Sequence, residues 1–126
     1  MSNALYYNNQ CFWHASNWVF QVVYESLYEI YLQNEIQNKN IKEFIESIDQ
    51  ETYGYGCVPR DLDKYLKTKE DYLILTDMVK KVIELVPTKY GLSEDDSVIA
   101  RISEFYKNLL QLINSNEHIG FADFHE

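Results

Sequence analysis

The scarcity of chain-breaking residues constrains this sequence more than any other feature. Only 4 Gly and 2 Pro occur in 126 residues. Long stretches are therefore left in which apolar residues recur every three or four positions, the period of a helix with one face turned to a core. No segment reads as a strand, and there is no internal repeat or low-complexity tract. The expected architecture is all-α: one domain over 1–126, a bundle or orthogonal array of about five helices.

The helices are expected in order. The first runs from about Asn9 to Gln37, with Val19, Phe20, Val23, Leu27, Ile30 and Tyr31 in one apolar stripe and Trp18 and Val22 opposite. A helix apolar on more than one side is central. Asn40 and Glu43 form a capping box for a second helix that stops near Glu51. Tyr53-Gly54-Tyr55-Gly56-Cys57-Val58-Pro59 is an irregular connection. A short third helix follows with Leu62, Tyr65 and Leu66 inward. Thr68 and Asp71 cap a fourth that Pro87 ends. Ser93 and Asp96 cap the last, which closes at Asn114–Asn116, and its Glu94-Asp95-Asp96 suits the positive end of a helix. Ser2-Asn3-Ala4 reads as an expression scar, which sets Met1–Ala4 aside. Residues 117–126 read as a C-terminal tail.

Composition excludes several functions. Lys and Arg total 11 against 20 Asp and Glu, a net charge of -9, whereas a nucleic-acid binder needs a positive face. No apolar run reaches the ~18 residues of a membrane span, and no signal peptide opens the chain. The expected setting is the cytoplasm, with no membrane and no nucleic acid as partner. Cys11 and Cys57 read as reduced thiols.

Catalytic signals are weak. Cys11 and His14 share the spacing of a thiol and its base, but no oxyanion loop accompanies them. His118 and His125 lack metal-site spacing. Tyr53-Gly54-Tyr55-Gly56 lacks the Lys-Ser/Thr of a phosphate loop. No catalytic residue, metal or cofactor is assigned.

Charge and aromatic content point elsewhere. Residues 1–38 hold Glu25, Glu29 and Glu35 and no Lys or Arg. Glu25 and Glu29 lie one helical turn apart, bordered by Tyr24, Tyr28 and Tyr31, in a chain with 11 tyrosines. Tyrosine offers rigid apolar area with a polar tip, and an unbalanced negative surface attracts a basic partner. Tyr24, Glu25, Tyr28 and Glu29 are therefore one candidate partner-binding group. Tyr53, Tyr55, Asp61 and Asp63, on or beside the irregular connection, are a second.

In size, acidity and helical character the chain resembles bacterial toxin-immunity proteins of the contact-dependent growth inhibition type. The resemblance implies binding and neutralisation of a cognate basic toxin domain, such as a nuclease, and carries no residue-by-residue motif. Two alternatives stand beside it. One is a small helical enzyme or ligand-binding protein using Cys11 and His14. The other is a homo-oligomeric scaffold joined through Trp13, Trp18, Val22 and Leu32.

Overall fold

A computed structural model describes residues 2–51 and 60–114. Its first elements are strands: β1 (Ser2–Tyr7) and β2 (Gln10–Ser16) form an antiparallel hairpin. The fold is therefore mostly helical rather than all-α. Ser2, Asn3 and Ala4 pair with Ser16, Ala15 and His14, so the segment set aside as a scar is half of a strand. The turn is Asn8-Asn9, with φ of 52° and 66°. Both residues are left-handed, as a two-residue hairpin turn of the strand-matching hand requires, and Asn tolerates that region. Leu5, Tyr7, Trp13 and Ala15 point inward, the two-residue period of a half-buried sheet.

The register breaks once. Leu5 opposes Trp13 but Tyr6 opposes Cys11, so Phe12 is the extra residue of a β-bulge. Its carbonyl accepts from Asn108 Nδ2 at 2.9 Å. A two-residue strand, β3 (Arg60–Asp61), pairs parallel to β1 and gives the sheet order β2-β1-β3.

Five helices make up the rest of the described fold. α1 (Asn17–Gln33) begins where Ser16 Oγ accepts from the Val19 N–H at 3.3 Å. It ends at Asn34, with Glu35 in the left-handed region at φ 49°, so it is shorter at both ends than its apolar pattern suggests. It lies centrally, packed against α2, α4, α5 and both long strands. Val19, Phe20, Val22, Val23, Tyr24, Leu27 and Ile30 are all buried along it.

α2 (Lys39–Glu51) is capped by Asn38, whose Oδ1 accepts from the Ile41 N–H at 3.0 Å. Asn40, the expected cap, instead donates through Nδ2 to Asp71 Oδ2 at 2.8 Å. α3 (Leu62–Tyr65) is the expected short helix, with Leu62 and the following Leu66 fully buried and Tyr65 partly so.

α4 (Lys69–Tyr90) carries the expected reciprocal cap between Thr68 and Asp71. Pro87 does not end it. The helix runs one more turn to Gly91, which sits at φ 67° with its N–H on the Pro87 carbonyl. The proline lies in the last turn, where its missing N–H removes a single helical bond. No atom lies within 4 Å of a Cβ placed at Gly91. Gly91→Ala is therefore expected to cost about 1 kcal/mol from backbone conformation alone, measurable by urea denaturation.

α5 (Ser97–Asn114) is capped by Asp96, whose Oδ1 accepts from the Val98 N–H at 2.8 Å. Ser93 bonds to Asp95 Oδ1 instead, which holds the Asp95 carboxyl below its usual range. Glu94, Asp95 and Asp96 therefore precede the helix rather than fill its first turn. α4 and α5 pack together, and the sheet lies against α5 through Trp13 and Phe12.

Candidate interaction surface

Inward packing of α1 fixes what it shows to solvent. Phe20, Val23, Tyr24 and Leu27 turn into the core, so the opposite positions must face out: Trp18, Gln21, Glu25, Tyr28 and Leu32, spaced by alternating steps of three and four. Trp18 is 49% exposed, Tyr28 47% and Leu32 56%. Among the described residues these are three of the five large hydrophobics left exposed, the others being Leu73 and Leu110. Three on one helical face form a patch, whereas isolated exposed apolar residues are ordinary.

The last turn of α4 braces this face. The Trp18 ring meets Tyr90 edge-on, with centroids 5.8 Å apart at 88°. The Tyr90 hydroxyl donates to Glu25 Oε1 at 2.7 Å, and Gln21 Nε2 donates to Glu25 Oε2 at 3.3 Å. Lys89 Nζ pairs with Glu29 at 3.1 Å and lies over the Tyr90 ring at 5.5 Å. The Tyr28 and Tyr31 rings stack at 6.4 Å. The two glutamates thus differ. Glu29 is offset by a lysine, while Glu25 is held by neutral donors and meets no Lys or Arg among the described residues. Glu25 is the uncancelled charge of this face, already fixed in place by its neighbours.

Of the first candidate group, Glu25, Tyr28 and Glu29 are brought together at the surface. Tyr24 is not: it is 3% exposed, with its ring 5.1 Å from Phe20, because it falls one turn after Phe20 on the inward side. Trp18, Lys89 and Tyr90 complete the surface and were absent from that group. The seven-residue spacing of Trp18, Glu25 and Leu32 was the available signal for the first.

Of the second group only Asp61 and Asp63 are described. Tyr53 and Tyr55 lie outside the described residues. Asp61, exposed on β3, and Asp63, partly buried on α3, belong to elements that pack against β1 and α2, whereas α4 borders the α1 face.

The other candidates fare as follows. Cys11 and His14 are exposed on β2. Cys57, His118 and His125 lie outside the described residues. The oligomer patch shrinks, since Trp13 and Val22 are buried at 3% and 0% and only Trp18 and Leu32 remain outside. A cleft of about 620 Å³ opens between the α1–α2 connection and α4, floored by Ile36, Leu73, Ile74 and Met78, and contains neither Cys11 nor His14. Among the described residues no helix is long and apolar enough to cross a membrane, and no three His, Cys, Asp or Glu converge as metal ligands. Compared with protein-family models, with curated proteins and with solved structures, the chain has no match.

Proposed function

We propose that this chain is an immunity or inhibitor protein of the cytoplasm that binds and neutralises a cognate basic toxin domain, such as a nuclease. The observation that carries the reading is the exposed face of α1: Trp18, Tyr28 and Leu32 set around Glu25, a carboxylate that makes no ion pair with Lys or Arg among the described residues. Aromatic anchors beside a charge are what a small interface needs for tight binding, and a fixed arrangement lowers the ordering cost of association. The net charge of -9 supports it further. Such a field speeds the encounter with a cationic protein. Carboxylates paired with the Lys and Arg that a nuclease uses for phosphate also deny those groups to its substrate.

The test is binding to purified basic nuclease toxin domains, together with growth of cells producing such a toxin and this chain. The expected result is rescue of growth and a complex whose association slows as salt rises. Trp18→Ala is expected to weaken the complex by about 2 kcal/mol, within the range of interface anchors, as read by titration calorimetry. Unhindered toxin activity in the presence of excess chain overturns the reading.

A further inference from the structure

We infer that the outer face of α1 is a seam for one helix of its partner, a basic amphipathic helix with a Lys or Arg placed opposite Glu25. This rests on the reading of α1 as the partner-binding face and says how that face is read.

The geometry is that of a helix-packing seam. Trp18, Gln21, Glu25, Tyr28 and Leu32 alternate steps of three and four, the a and d spacing by which two helices interlock. From Trp18 to Leu32 the seam runs about 21 Å at 1.5 Å per residue. Its two ends are apolar and half exposed, and its midpoint is a carboxylate. A helix laid along it would bury apolar residues against Trp18, Tyr28 and Leu32 and bring one side chain against Glu25.

Charge decides which helix. Glu25 lies seven positions from Trp18 and seven from Leu32. If a second copy of α1 occupied the seam in full register, Glu25 would meet Glu25 whether the helices ran parallel or antiparallel. Two like charges would then be desolvated together, which opposes self-association. A cation at that position reverses the sign. Tyr90 and Gln21 already hold the Glu25 carboxylate in place, so it costs little further ordering on pairing.

Two synthetic probes test this against the full chain. Each is a helical peptide of about 18 residues with a lysine-rich outer face and leucines at the seam positions. One has Arg and the other Glu at the central seam position. Binding is read by titration and by amide chemical-shift changes. The Arg peptide is expected to bind along α1 with roughly a tenfold preference over the Glu peptide. Glu25→Gln should erase most of that preference, and Trp18→Ala or Leu32→Ala should weaken the Arg peptide. These side chains are exposed, so the variants fold. Equal binding of both peptides, shifts centred away from α1, or dimerisation of the chain that Trp18→Ala abolishes would each overturn the inference. If the toxin domain is neutralised and neither peptide docks, the helix seam falls and the inhibitory function stands. If the Arg peptide docks as described and the toxin domain is not bound, the seam stands and that function falls.

Discussion

Asp71→Ala is expected to lower stability by about 3–4 kcal/mol, the largest effect of any single polar substitution in the described fold. The Asp71 side chain belongs to a residue only 2% exposed. Its carboxylate accepts from Asn38 Nδ2 at 2.8 Å, Asn40 Nδ2 at 2.8 Å, the Lys67 N–H at 2.7 Å and the Thr68 N–H at 3.1 Å. One carboxylate thereby ties the start of α2 to the start of α4. Alanine would leave four donors without their acceptor in a place water reaches poorly, and each such loss costs more than the bond contributed when made. Urea unfolding should show a lower midpoint with an unchanged slope.

The same residue sets a pH dependence whose sign is fixed. Burial pushes the Asp71 pKa up, but the hydrogen bonds from Asn38, Lys67, Asn40 and Thr68 outweigh it, and the carboxyl is held below its ordinary value. Its contribution is therefore complete above about pH 4 and is lost as pH falls through the lowered folded value. Asp71→Asn keeps the shape but removes this titration. The acid limb of its stability curve should be shallower than that of the wild type, and an unchanged limb would show that other carboxylates govern acid unfolding. Tyr72 acts at the other extreme. Burial, with Tyr7, Asp63 and Asp71 nearby, pushes its pKa far up. Its contribution is full below the unfolded tyrosine value near pH 10 and declines as pH rises beyond it.

Trp13→Ala is the second large expectation, a loss of about 4 kcal/mol. The indole stacks on Phe105 at 4.6 Å and 14°, meets Phe20 at 4.9 Å, and donates through Nε1 to the Arg101 carbonyl at 3.0 Å. It fastens the hairpin to both α1 and α5. Removing it leaves a cavity bordered by aromatic rings from two helices, which cannot collapse together without moving a backbone. Trp13→Phe keeps a ring and loses the hydrogen bond, with an expected cost of about 1–2 kcal/mol. Near-ultraviolet circular dichroism and thermal unfolding report both. A loss below about 1 kcal/mol for alanine would show that the hairpin is held by other contacts.

Helices with a long apolar period were legible in the sequence, as was the Thr68–Asp71 cap, because the residues that make them are close along the chain. The hairpin was missed for local reasons. The bulge at Phe12 interrupts the alternation that marks a strand, and setting aside Ser2–Ala4 removed half of β1 from consideration. Asn8-Asn9, a pair suited to left-handed turns, was the remaining signal. Caps were misplaced where several suitable residues crowd together. Asn40 stands beside Asn38, and only the distant Asp71 decides which of them is free to cap α2. On the outer side of α1, the helical spacing put Glu25, Tyr28 and Glu29 on one face, where the structure has them. The groups that hold the two glutamates, Lys89 on Glu29 and the neutral Tyr90 hydroxyl on Glu25, were hidden, because they lie 60 and 65 positions away.

The bulge has a consequence beyond the shape of the hairpin. Among the described residues β2 is an outer strand of the sheet, and an unprotected outer strand is a template on which other chains can polymerise. The irregular step at Phe12 breaks the even row of backbone groups, and Asn108 occupies a carbonyl that an incoming strand would otherwise recruit. A small protein can in this way carry an open sheet margin and still resist fibril growth.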